Sequence, residues 1–152
     1  MRLMGRTAIQ VLKALLELAQ EPETWRSVKG LAQAQALPEP YLEQLLLRLR
    51  RAGVLEARRG RNGGYRLACS PAELPLGRVL EAAGALPGAA GHQEVGGSEP
   101  AEPATERVAA LLQQRLNQAL NRDLQRLTLQ ELLFDLRSAR AALSEEGGLI
   151  LG

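Results

Sequence analysis

Apolar residues recur along the chain with two different periods, and the changes of period mark its elements. Residues 8–19 carry Ala8, Leu12, Leu15, Leu16 and Ala19 at three- and four-residue spacing, the stripe of an amphipathic helix. Glu21-Pro22 ends it. Residues 24–26 read as a short edge strand, and Ser27 caps a helix over 28–35. Leu37-Pro38-Glu39-Pro40 is a turn that places proline just inside the start of the next helix, 39–52. Leu42, Leu45, Leu46 and Leu49 form its buried stripe, and Gly53 stands where a glycine cap belongs.

The period then shortens. Residues 54–58 and 65–68 read as two strands joined by the turn residues Arg59-Gly60-Arg61-Asn62-Gly63-Gly64. Ser70-Pro71-Ala72-Glu73 has the capping-box layout for one helical turn, and 76–86 reads as a further helix. Residues 87–104 break the pattern with four glycines, three prolines and three glutamates against one isolated valine, Val95. That is the composition of a linker or loose loop.

Beyond it, Val108, Leu112, Leu116, Leu120 and Leu124 recur every four residues, joined by Leu111, Ala119 and Leu127. They predict a helix over 105–126, about 33 Å long at ~1.5 Å per residue. A stripe of this length beyond a linker predicts a partner chain as its cover; packing back onto the first helix is the competing arrangement. Thr128 caps a last helix over 129–143. Residues 147–152, with Leu149-Ile150-Leu151, remain an apolar tail without an assigned role. The expected organisation is a head over 1–86, a flexible linker over 87–104, dimerization helices over 105–146 and the tail.

The 152 residues are 45% hydrophobic but only 3% aromatic, so the core must be built from Leu, Ala and Val. No apolar run approaches the roughly 18–20 residues of a membrane span. Residues 1–13 lack a signal-peptide layout, and the single cysteine, Cys69, excludes an internal disulfide. A cytoplasmic protein is expected. The net charge of +2 hides an asymmetry: residues 1–85 hold 13 Lys and Arg against 8 Asp and Glu. Residues 48–66 alone hold seven arginines and one acid, Glu56. Such a cluster suits a polyanion, and the bland alternative is a solvated charged face.

The order helix, turn, helix, two-stranded ribbon gives the cluster its meaning. A helix of about 10–12 Å diameter fits the major groove of B-form DNA, and residues at its N-terminal end face base edges. Tyr41 offers a hydroxyl and a ring for a thymine methyl, Glu43 accepts from a cytosine amino group, and Gln44 pairs with adenine. Arg48 lies further along the same helix. Gly60 and its neighbours let backbone approach a phosphate, and Arg58, Arg59 and Arg61 supply charge. Each has a plainer reading: Tyr41 as a core-edge aromatic, Glu43 paired with Arg48 or Arg50, Gly63-Gly64 as a tight turn only.

The string Tyr41-Leu42-Glu43-Gln44-Leu45, then Leu49-Arg50-Arg51-Ala52-Gly53-Val54-Leu55, Arg59-Gly60 and Gly63-Gly64-Tyr65-Arg66-Leu67-Ala68, with Met1-Arg2-Leu3 ahead, resembles the Rrf-type bacterial regulators. This is the family of the IscR, NsrR and CymR transcription regulators. A looser likeness extends over 75–84 and 107–133. The resemblance implies a mainly α fold. It comprises a winged helix-turn-helix DNA-binding domain with a two-stranded wing, plus a long C-terminal dimerization helix. It implies a homodimer, joined through 105–126, on an imperfect palindrome in double-stranded promoter DNA. Tyr41 and Glu43 match the family's base-contacting positions, and Arg59 matches its wing arginine.

Two departures matter. Pro38-Glu39-Pro40 stands where many relatives have small hydroxyl residues, so the operator should differ. Cluster-binding relatives place three cysteines in the segment matching 87–104, and this chain has none there. Nor does a carboxylate lie near Thr7, where some relatives donate another ligand. A cluster needs typically four thiolate-rich ligands, so no cofactor is expected. His92 reads as a solvated loop residue and Cys69 as an inert one.

No phosphate loop, Cys–His pair or metal-ligand cluster suggests an enzyme. The alternative function is a protein-interaction module that keeps the winged-helix scaffold and acts by binding a partner enzyme or regulator.

Overall fold

The computed structural model describes residues 3–87 and 102–151, and of 147–151 only the helical backbone. Its elements are α1 (Arg6–Gln20), α2 (Val28–Gln35), α3 (Glu39–Arg51), β1 (Leu55–Arg58), β2 (Gly64–Leu67), a 3-10 turn (Pro71–Glu73), α4 (Leu76–Ala82), α5 (Pro103–Arg126) and α6 (Leu129–Leu151). The fold is mainly α with a two-stranded antiparallel sheet, as the hydrophobic pattern predicts. His92, Glu94 and most of the expected linker lie outside the described residues.

Local signals set the helix-turn-helix. Ser27 Oγ accepts from Gly30 N–H at 3.0 Å and starts α2. The helix ends at Ala36, a non-glycine residue at φ 53°. Beyond it Leu37 N–H folds back to Ala32 O at 2.9 Å. Pro38 is the extended N-cap of α3 and Pro40 sits in its first turn, where the missing amide costs no helical bond. Across the far ends of α3 and α4 two arginines trade places. Arg48 Nη1 donates to Ala83 O at 3.5 Å, and Arg78 Nη2 to Ala52 O at 3.4 Å. Each side chain partners an otherwise open C-terminal carbonyl and sets its positive charge against that helix's negative end.

One apolar cluster holds the head together. Val11, Leu15 and Leu18 of α1 meet Leu31 of α2, Leu42, Leu46 and Leu49 of α3, Leu55, Tyr65 and Leu67 of the wing, and Leu74 and Val79. Leu129 and Leu133 of α6 are buried in the same cluster. The C-terminal helix is therefore part of the head's core. The chain entering α6 is stitched to the chain entering α4 by Leu76 N–H to Leu127 O at 2.8 Å and Leu129 N–H to Leu74 O at 2.9 Å. The cap predicted at Thr128 forms, and it is reciprocal: Thr128 N–H donates to Glu131 Oε2 and Glu131 N–H to Thr128 Oγ1, both at 3.4 Å.

Several details differ from the sequence expectation. α4 stops at Ala82 rather than 86, because Gly84 at φ 67° turns the chain and Ala85 N–H closes on Leu80 O at 2.8 Å. Ser70 starts its turn through the backbone, with no side-chain cap. α6 runs to Leu151, so the segment read as a tail continues the helix. It is α6 that lies along α1, with Arg140 Nη1 donating to Gln20 Oε1 at 2.7 Å; α5 packs mainly on α4. No described residue of α5 is buried, and Val108, Leu112 and Leu116 are 66%, 57% and 54% exposed. Among the described residues, no helix is long and apolar enough to cross a membrane.

Candidate nucleic-acid interface

The leucines of α3 turn inward and leave a polar outer face. Glu43, Gln44, Arg48 and Arg51 are exposed on it. Tyr41 lies at its edge, half-buried against the core, with its hydroxyl 3.4 Å from Thr7 Oγ1. The core-edge reading of Tyr41 thus describes its ring. Among the described residues Glu43 makes no ion pair with Arg48 or Arg50.

The wing is built by register. Leu55 faces Leu67, Glu56 faces Arg66, Ala57 faces Tyr65 and Arg58 faces Gly64. Strand alternation sends Leu55, Tyr65 and Leu67 into the core and puts Glu56, Arg58 and Arg66 on the outer face. Arg26 pairs antiparallel with Tyr65 beyond β2. The edge strand expected over 24–26 is thus a single bridging residue. A Cβ on Gly64, which sits at φ 140°, would meet the Arg26 carbonyl, and one on Gly63 would meet the Arg58 carbonyl. These two glycines are demanded by backbone approach within the wing itself.

The seven arginines of the basic cluster fall into different environments. Arg66 Nε donates to Glu56 Oε2 at 3.0 Å. Arg58 Nη2 donates to Asn62 O at 2.6 Å. Both guanidinium groups also lie over Trp25, at 4.9 Å (Arg58) and 4.3 Å (Arg66) from the indole centroid. Arg48 is tied to α4 as described. Arg50, Arg51, Arg59 and Arg61 are exposed, and none has an ion-pair partner among the described residues. The sequence reading missed Trp25 and Asn62. A lone aromatic outside any periodic stripe carries no signal until the strand register sets it beside Arg66.

The helix and the wing share an electrostatic environment. Burial pushes the Tyr65 phenol above its ordinary range; the Glu43 carboxylate of α3 adds to the rise and Arg50 opposes it. Cys69, half-buried past the end of β2, has its thiol raised by burial, with Arg78 opposing and Glu73 reinforcing. Among the described residues, no three His, Cys, Asp or Glu side chains gather as a metal site would require.

This arrangement, a polar-faced helix beside an arginine-tipped hairpin, has known counterparts. Residues 4–135 match the model of the Rrf2 family, described as an iron-dependent transcriptional regulator. The chain belongs to the Rrf2 family. Over 139 residues it is 38% identical to slr0846 of Synechocystis sp., provisionally named an HTH-type transcriptional regulator, covering 88% of this chain and 89% of that one. It is 34% identical over 145 residues to the transcriptional regulator NsrR of Geobacillus kaustophilus, covering 93% and 94%. The solved structure of CymR, the global cysteine regulator of B. subtilis, matches with a TM-score of 0.64 at 30% identity, covering 88% and 97%. T. potens IscR matches with a TM-score of 0.62 at 29% identity, covering 89% and 88%. These relatives establish the Rrf2 protein as an HTH-type transcriptional regulator with the winged-helix fold.

Proposed function

We propose that this Rrf2 protein acts in the cytoplasm as a homodimer that reads an imperfect palindrome in double-stranded DNA, without an iron–sulfur cluster. The observation that carries this is the packing of α3 on the wing: Leu45, Leu46 and Leu49 share one buried cluster with Leu55, Tyr65 and Leu67, which leaves the exposed Glu43–Gln44 face beside the hairpin. One duplex then meets both. Glu43 accepts from a cytosine amino group and Gln44 pairs with adenine. Tyr41 presents its ring edge to a thymine methyl while its hydroxyl stays near Thr7. Arg48, Arg58, Arg59 and Arg61 meet phosphates, and Gly60, with open space around its Cα, admits the backbone closely.

The exposed stripe of α5 supports the dimer. Val108, Leu111, Leu112 and Leu116 form one row left exposed by the described residues of their own chain. A second α5 across a two-fold axis covers it and sets two reading heads for two half-sites.

The family's description raises the question of iron. The whole chain offers one cysteine and one histidine. Cys69 lies beyond the wing with a raised thiol. A cluster held by typically four thiolate-rich ligands does not fit this donor set, and no step of the reading passes through iron.

Selection of bound duplexes from a random-sequence pool tests the reading. Enrichment of an inverted repeat is expected, with affinity falling about 10³- to 10⁵-fold between 50 and 200 mM salt for ~6–10 phosphate contacts. No enrichment at low salt would refute it.

A further inference from the structure

We propose that Trp25 is the positioning residue of the wing. It holds the Arg58 guanidinium ready for a phosphate, an inference that rests on the duplex-binding reading above. The two strands and the bridge at Arg26 bring the groups together. Arg26 pairs with Tyr65, so Trp25 stands beside Arg66 on the outer face, and the register of β1 on β2 sets Arg58 diagonal to Arg66 on that same face. Both cations lie within 5 Å of one indole centroid. An indole face attracts a guanidinium set over it. Glu56 neutralises Arg66 at 3.0 Å and sits directly opposite it across the strands. Arg58 has no carboxylate among the described residues. Its partners are the indole and the Asn62 carbonyl of the turn, at 2.6 Å.

The two arginines therefore differ in kind. Arg66 is spent on Glu56. Arg58 keeps its charge but has lost its freedom, at the root of the turn that carries Arg59 and Arg61. Immobilising a long side chain during binding costs a factor of roughly 2 to 10 in affinity for each chain ordered. Trp25 meets that cost beforehand in each half-site.

The test measures binding of the full-length protein to a 30-base-pair duplex enriched by the wild type, at several salt concentrations. Trp25→Ala should weaken binding roughly 4- to 100-fold in a dimer with two wings, while the slope of log K against log salt stays unchanged because every cation remains. Arg58→Ala should weaken binding and flatten the slope by about 2. Trp25→Phe, which keeps an aromatic face, should stay within about 3-fold of wild type. Wild-type affinity in Trp25→Ala, or a Trp25→Phe loss as large as that of Trp25→Ala, would overturn the proposal.

A second readout needs no DNA. Trp25 is the sole tryptophan. Its emission should change in Arg58→Gln and in Arg66→Gln, and stay as in wild type in Arg59→Gln. Unchanged emission in the first two would overturn the stacking itself, whether or not Trp25→Ala folds. Failure of the wild type to bind any duplex would instead sink the functional reading and leave this readout standing.

Discussion

Arg26 and Tyr65 exchange two backbone hydrogen bonds, Arg26 N–H to Tyr65 O at 2.9 Å and Tyr65 N–H to Arg26 O at 2.8 Å. The residue just ahead of the helix-turn-helix thereby closes the free edge of the wing. Tyr65 is anchored from both sides, by Arg26 and by its β1 partner Ala57, with its ring in the core. The reading helix and the hairpin share one rigid base.

That closure depends on Gly64. At φ 140°, with the Arg26 carbonyl where a Cβ would go, alanine is strained twice over. Gly64→Ala should destabilise the protein by about 2–4 kcal/mol in urea denaturation. A loss under about 1 kcal/mol would mean that the bridge gives way cheaply.

Ala36 has the opposite sign. It occupies the left-handed region at φ 53°, where a side chain costs roughly 1–2 kcal/mol and glycine nothing. Glycine in turn loses about 0.4–1 kcal/mol through the freer unfolded chain. Ala36→Gly should therefore raise stability by about 0.5–1 kcal/mol, read as a higher denaturation midpoint at constant slope. A lower midpoint would show that the Ala36 methyl group contributes packing.

Much of this was legible in the chain. The bounds of α2 follow from Ser27, and α3 from its leucine stripe and flanking Pro38, Pro40 and Gly53, because these signals are local. The wing was legible from its strands and turn glycines. The role of α6 was not. Its apolar residues form one stripe whether they cover the head or a partner, and only the stitch at Leu74–Leu76 to Leu127–Leu129 decides that Leu129 and Leu133 enter the core. Trp25 was hidden for a like reason, since its partners Arg58 and Arg66 lie on β1 and β2. The site residues were readable as a face of α3, but the tether of Arg48 to Ala83 and the inward lean of Tyr41 depend on tertiary neighbours.

The dimer needs point variants rather than truncation, because removing everything after α4 would strip Leu129 and Leu133 from the core. Leu112 and Leu116 are each more than half exposed, so Leu112→Glu with Leu116→Glu should leave the head folded. Sedimentation should find a monomer with operator affinity reduced at least tenfold, since two half-sites no longer act together. A double variant that stays dimeric would move the interface off α5.

Tyr65 makes stability depend on alkaline pH. Its folded pKa lies above the ordinary value of about 10, from burial first and Glu43 second. The folded protein keeps a proton that the unfolded chain releases, so this contribution is complete below about pH 10 and is lost as pH rises toward the raised value. The stability difference between wild type and Tyr65→Phe should therefore shift against the wild type on going from about pH 9 to 11. A difference that does not change with pH would contradict the burial of the phenol.

In the proposed complex, exposed arginines of the wing and the face of α3 meet one duplex. The most direct measurement is the salt dependence of binding to the selected duplex, for wild type and for the Arg59→Ala, Arg61→Ala double variant. A dimer loses four cations in that variant, and at about 0.9 per phosphate contact the slope should flatten by about 3–4. Equal slopes for the two proteins, with equal affinity, would mean that the wing does not touch the duplex.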